Sequence, residues 1–275
     1  MKHPITHALG QWALAAGLLF SSTASYSVEL ALDGKSPEEA GLAIVNAADE
    51  KETGFISTTS DMKMILINRK GEKHVRNMRS RTLEVSDDGD KSMTIFDEPA
   101  DVKGTAMLTH AHGLEPDDQW LFLPALRRVK RISSRNKSGP FMGSEFAYED
   151  LGSQEVEKYS YKLLGEETVE GVETYKVERI PEYEHSGYTK QISWIDKEEL
   201  RTRKVDYYDR KDELLKTLVF SDYEQYKEQF WRAKTMYMEN HQTGKATELQ
   251  FTNFVFDSDA IREADFTSTA LKRIR

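Results

Sequence analysis

The sequence contains no cysteine. That excludes disulfides, an acylated N-terminal cysteine and a thiol nucleophile, so the folded part must be held by its own core. Long apolar runs are scarce as well. Trp12 to Phe20 is one, and it is about half of the ~20 residues a membrane-spanning helix needs. No G-x-S-x-G elbow, P-loop or dinucleotide fingerprint occurs, and there is no repeat of fixed period or low-complexity linker. Positive charge is in deficit: 47 acids face 38 Lys and Arg, a net charge of −9. So acidic a chain is a poor partner for nucleic acid or for an anionic membrane surface. With this many acids, carboxylate pairs arise by chance and none can be argued as a glycosidase pair. The expectation is a binding protein without a cofactor rather than an enzyme.

What is present begins with a processing segment. Lys2 supplies a positive start, the apolar run follows, and Ser21 to Ser27 is rich in small residues. This is the order of a secretory signal. Small residues at −3 and −1 fit cleavage after Ala24 or after Ser27, with Ser27 favoured. Residues 1–27 are then a signal peptide and 28–275 a single domain, soluble outside the cytoplasm. Roughly 250 residues are enough for one large core. Loss of Lys2 makes the mature chain one charge more negative.

Ser36-Pro37-Glu38-Glu39 opens a helix, with Ser36 at the N-cap, Pro37 at the first position and acids at the positive end. Its apolar stripe, Leu42, Ile44, Val45 and Ala48, runs to about Glu50. After Gly54 the period changes to two. Met62–Asn68, His74–Glu84 and Lys91–Phe96 read as strands, joined by turns at Arg69–Glu72 and Asp87–Asp90. In the later half Tyr159–Leu164, Val172–Ile180, Lys190–Asp196, Leu200–Tyr208, Leu214–Tyr226, Phe230–Asn240 and Lys245–Phe256 read as strands. Their connectors are short and polar, which leaves little room for crossover helices and predicts an antiparallel meander. Alternation in Thr174–Arg179 puts one face in water and one in a core. The predicted class is α+β: a single, highly curved antiparallel sheet, its dry face covered by the N-terminal helix and the central segment.

The central stretch, Phe96 to Leu151, carries the unusual local chemistry. Asp117-Asp118 precedes the apolar run Trp120-Leu121-Phe122-Leu123, which Pro124 ends. A dense basic run follows, Arg127, Arg128, Lys130 and Arg131, with Arg135 and Lys137 beyond it. Then comes Ser138-Gly139-Pro140-Phe141-Met142-Gly143-Ser144, apolar residues set between turn formers. His110 and His112 share a strand face by period two and have acids nearby. Two histidines alone are a weak metal signal, and no metal site is assigned.

Three blocks of this stretch, Pro99–Thr105, Asp117–Ile132 and Ser138–Phe146, resemble the outer membrane lipoprotein-sorting protein family, which is LolA-like and related to LolB- and RseB-type folds. The resemblance implies an incomplete β-barrel with helices closing its open, concave side. It implies a periplasmic carrier that holds a lipid or lipoprotein acyl chain on that face. It also implies an RND-type inner-membrane transporter of the MMPL kind as partner. On this basis Trp120, Phe122, Phe141, Met142, Phe146 and Tyr148 are the candidate ligand-binding residues; the alternative is ordinary core beneath the sheet. Phe141-Met142 is read as part of the acyl-site lining or as a lid over it, with release by a receiving partner or by movement of this loop, so that Phe141→Asp is expected to weaken ligand retention without unfolding. The basic run is either a docking site for phosphate or acidic groups, for which the planar Arg fork is suited, or a solvated strand face. A non-carrying adaptor or sensor for the transporter is the alternative function.

Overall fold

The computed structural model describes residues 30–86 and 88–273. The proposed signal peptide and Asp87 of the second turn lie outside the described residues. One α-helix, α1 (Pro37–Glu52), precedes thirteen strands. The first six are β1 (Ser57–Ile67), β2 (Lys73–Leu83), β3 (Lys91–Glu98), β4 (Ala106–His110), β5 (Asp118–Leu123) and β6 (Arg128–Ile132). The other seven are β7 (Tyr159–Val169), β8 (Val172–Pro181), β9 (Lys190–Asp196), β10 (Thr202–Tyr208), β11 (Leu214–Tyr226), β12 (Phe230–Asn240) and β13 (Lys245–Phe256).

All thirteen strands form one antiparallel sheet in the order β6-β5-β4-β3-β2-β1-β13-β12-β11-β10-β9-β8-β7. The chain walks from β1 out to one edge, jumps to the other, and walks back until β13 pairs with β1. The two edges, β6 and β7, do not pair with each other. The sheet is therefore curved and open rather than a closed barrel. The jump is made by residues 133–158, which have to cross the open side. Edge strand β6 exposes Arg128, Lys130 and Arg131, and charged side chains of this kind deter pairing with a second chain.

Helix α1 starts where the sequence places it. The Glu39 amide donates to Ser36 Oγ (3.2 Å) and the Ser36 amide to Glu39 Oε2 (2.8 Å), a reciprocal capping box that satisfies two otherwise orphaned donors. Ile44 is fully buried among Tyr159, Tyr161, Tyr175, Val177, Ile195 and Leu200. Gly41 sets how close the helix lies: a Cβ there would stand 2.8 Å from the backbone nitrogens of Lys162 and Leu163.

The main core lies between the concave face and the crossing segment. Met64, Met78, Phe96, Met107 and Leu121 meet Phe141 and Phe146 there. A further core occupies the opposite face, where Met93, Ile95, Ala106, Leu108 and Phe122 are covered by Phe266 and Leu271 of the C-terminal segment. Strands β3 to β5 are thus buried on both faces. This explains why Ala106-Met107-Leu108 and Trp120–Leu123 read as continuous apolar runs rather than alternating ones.

Candidate functional site

The crossing segment fills one end of the concavity and leaves the other end hollow. A cavity of about 580 Å³ lies between α1, the sheet and Phe146 of the crossing segment. Val45 and Ala48 line it from the helix, and Val177, Ile195, Val205 and Leu218 from strands β8 to β11. Phe220, Met236, Phe251 and Phe254 continue the apolar wall, while Thr58, Ser60, Ser80 and Thr82 give a hydroxyl-bearing flank from β1 and β2. The lining is discontinuous in sequence because each strand contributes only its inward parity. A smaller cavity of about 230 Å³ lies beyond Gln154, with Asp117, Lys137, Lys158 and Tyr183 on its walls. Its walls carry buried ion pairs, Lys158 with Asp117 and Lys137 at 3.8 Å from Asp117.

Charges in the large cavity are mostly committed. Arg232 pairs with Glu52. Arg201 Nε donates to Asp196 Oδ2 at 2.8 Å, and its guanidinium stacks 4.4 Å from the Trp231 ring. Asp150 accepts from Lys216 Nζ at 2.8 Å and from the Tyr188 hydroxyl at 2.9 Å. Burial, reinforced by Asp150, pushes the Tyr188 hydroxyl well up, which keeps it a donor. Asp49 lines the cavity at the helix; burial, with Glu157 and Glu50 beside it, raises its carboxyl above the usual range.

A polar row crosses the concave face from β7 to β12. Register pairs Tyr161 with Arg179, Arg179 with Gln191, Gln191 with Tyr207, Tyr207 with Lys216, and Lys216 with Asn240. Lys216 and Asn240 hold the crossing segment: Lys216 Nζ donates to the Glu145 carbonyl (2.8 Å) and Asn240 Nδ2 to Glu145 Oε2 (2.7 Å). Thr247 Oγ1 accepts from the Glu145 amide at 3.0 Å, and Gln119 Nε2 donates to the Tyr148 carbonyl at 2.8 Å.

The expected ligand-binding residues do not form one group. Phe141, Phe146, Met142 and Tyr148 come together on the concave side, with the Phe141 ring centroid 5.8 Å from Phe96 and 5.6 Å from Tyr148. Of these only Phe146 reaches the large cavity. Trp120 and Phe122 belong to the core on the opposite face, since their parity in β5 is opposite to that of Leu121. The lid expectation for Phe141-Met142 is corrected. Phe141 is 1% exposed, and Arg76 Nη1 donates to the Met142 carbonyl at 2.6 Å, so the segment is a pinned plug.

The basic run is exposed on and beside β6. Arg131 pairs with Asp118; Arg127, Arg128 and Lys130 have no carboxylate within ion-pair distance among the described residues. The two histidines part company. His110 Nε2 bonds the Phe266 carbonyl at 2.8 Å, whereas His112 Nδ1 bonds Asp88 at 2.7 Å. Among the described residues no group of three or more His, Asp or Glu is gathered for a metal, and no helix is long and apolar enough to cross a membrane.

Sequence reasoning missed Arg179, Arg201, Trp231 and the helix wall of the cavity. Arg179 carried a signal, because it shares the inward parity of Tyr175 and Val177 in β8.

Comparison with known proteins agrees with this architecture. A family model described as "Uncharacterized protein" matches residues 88–273. No curated protein matches the chain. A domain from Vibrio parahaemolyticus, named for outer membrane lipoprotein sorting, is 53% identical with a TM-score of 0.84, covering 86% of this chain and 100% of that one. A DUF1329 family protein from Desulfovibrio piger is 33% identical with a TM-score of 0.81, again covering 86% of this chain and 100% of that one. A LolA superfamily protein from Nitrosomonas europaea, 20% identical with a TM-score of 0.66 over 82% of this chain and 97% of that one, shares the fold. On the first two likenesses, this chain belongs to the DUF1329 family, together with the Vibrio domain named for lipoprotein sorting, and its fold is LolA-like.

Proposed function

We propose that the protein is a periplasmic binding protein that holds the acyl portion of a lipid or lipidated molecule in the concave cavity and passes it between membrane partners. The observation that supports this most is the cavity itself. Its volume of about 580 Å³ falls within the ~300–1,000 Å³ of small-molecule sites, which are mostly apolar with a few placed polar groups. Each buried CH₂ contributes about 0.8 kcal/mol, so ~10 carbons give a gross term of about 8 kcal/mol before ordering costs. The sorting name of the Vibrio relative points the same way, although a shared fold alone does not fix a ligand. The reading is of binding, not catalysis.

Blocking the cavity tests it. Ala233 is 6% exposed and faces the cavity from β12. Ala233→Trp is expected to abolish uptake of a fluorescent fatty acid while thermal unfolding stays cooperative. Uptake undiminished in this variant, or absent from the wild type, contradicts the reading.

A second reading rests on the exposed Arg127, Arg128 and Lys130, which have no ion-pair partner among the described residues. Here the protein is an adaptor or sensor that docks an acidic face of a membrane protein, such as an RND transporter of the MMPL kind, and carries nothing. Reversing the three residues to Glu is then expected to abolish co-purification with the membrane fraction. Unchanged co-purification contradicts it.

A further inference from the structure

Several buried side-chain polar atoms lack a hydrogen-bond partner, and two of their residues line the large cavity: Arg179 through Nε and Trp231 through Nε1. Both atoms are donors. Burying a donor without an acceptor costs about 1–3 kcal/mol, and more for a charged group. The two atoms therefore mark places where an acceptor brought into the cavity would restore a lost interaction.

Arg179 is the more informative. The other two arginines of the cavity, Arg201 and Arg232, each have a carboxylate partner. Arg179 has none within ion-pair distance among the described residues. Its guanidinium lies 5.2 Å from the centroid of the Tyr159 ring, and its cross-strand neighbours are Tyr161 and Gln191, neither of them acidic. The cavity acids do not serve it: Asp150 is held by Lys216 and Glu52 by Arg232, and Asp49, on the helix wall, is not within ion-pair distance of it among the described residues. Apolar Val177 lies two residues earlier on the same face of β8; its cross-strand neighbour on β9 is Ser193, and beyond it Val205 and Leu218 continue the wall. The cavity thus joins a cationic, acceptor-poor end to an apolar wall.

We infer that the cavity selects an amphiphile whose polar end is an oxyanion, a carboxylate or a phosphate ester, with Arg179 as the residue that binds it and the Val177–Val205–Leu218 wall taking the chain. This inference rests on the proposed function and adds the head-group chemistry to it. The planar guanidinium suits both oxyanions through paired N–H donors.

The test titrates the full chain, stripped of lipid, with dodecanoate, dodecyl phosphate, dodecanol and dodecyltrimethylammonium. The wild type is expected to bind at least one anion about tenfold or more tightly than the alcohol, as a charge-assisted hydrogen bond requires. It is expected to bind the cation weakest. Comparing dodecanoate with dodecyl phosphate shows whether a carboxylate or a phosphate ester is the natural head group. Arg179→Gln is expected to remove the preference for anions and leave dodecanol binding unchanged, while Arg179→Lys retains part of it. Equal affinity of the wild type for all four chains overturns the inference but leaves the carrier reading standing. So does an anion preference undisturbed in Arg179→Gln. Failure of every chain to bind contradicts both. The wild-type comparison needs no variant, so it decides the head-group chemistry even where Arg179→Gln fails to fold, and Arg179→Lys then tests the residue: an undiminished anion preference there overturns its role.

Discussion

Lys216 and Asp150 form an ion pair of 2.8 Å whose side chains are only 4% and 6% exposed. One partner belongs to the sheet and the other to the segment that crosses it. The same ammonium also bonds the Glu145 carbonyl and lies 5.1 Å from the ring centroids of Tyr188 and Tyr207. The pair is thus the bolt between the concave face and its plug. Removing one member of a buried pair leaves the other uncompensated, at a cost of about 3–5 kcal/mol. Lys216→Met is expected to lower stability by that order in denaturant titration. Limited proteolysis is expected to cut first within residues 137–151. Wild-type stability in this variant contradicts the role given to the pair.

Phe141 is expected to behave as core. Phe141→Ala is expected to cost about 3–5 kcal/mol, the range for deleting a buried aromatic ring, and Phe141→Asp to prevent cooperative folding. Urea titration of the first and near-ultraviolet circular dichroism of the second check this. A folded, stable Phe141→Asp protein would restore the lid.

Gly41 lets α1 lie against the β7 backbone. Gly41→Ala places a Cβ at 2.8 Å from backbone nitrogens that cannot swing aside. A loss of about 1–3 kcal/mol is expected from overpacking, despite the better helix propensity of Ala. Because α1 forms one wall of the cavity, fatty-acid affinity is expected to fall as well. A stabilised variant contradicts this placement.

Burial raises the Asp90 carboxyl to about 6, with Glu155, Glu84 and Asp49 adding to the rise. The folded state holds this proton more tightly than the unfolded chain, so the group lowers stability as pH climbs from about 4 to 6, and the penalty is complete above that. After allowance for solvent screening it is on the order of 2 kcal/mol. Asp90→Asn keeps an acceptor for the Val85 amide. It is expected to raise the melting temperature at pH 7.5 and to change it little at pH 4. A gain of equal size at both values contradicts the assignment.

Much of the fold is legible where period two meets short polar turns. Leu214–Tyr226, Phe230–Asn240 and Lys245–Phe256 read as strands with the bounds that β11, β12 and β13 have. Strands β4 and β6 are harder to see. Ala106-Met107-Leu108 is buried on both faces and shows no alternation, and Arg128–Ile132 has its pattern masked by charge on an edge. The site is less legible than the fold. Parity separates Trp120 and Phe122 from Leu121, but which parity faces the ligand depends on the curvature of thirteen strands. Phe141-Met142 looks exposed between turn residues because its burial partners, Phe96 and Arg76, lie far away in sequence. The hollow itself belongs to no motif; it is the space left between α1 and the plug.

The most direct measurement is native mass spectrometry with lipid extraction on protein purified from periplasm without detergent. The account predicts a stoichiometric amphiphile with an acyl chain, released when the cavity is blocked by Ala233→Trp. Protein that is empty, and that also fails to take up added phospholipid, would contradict it.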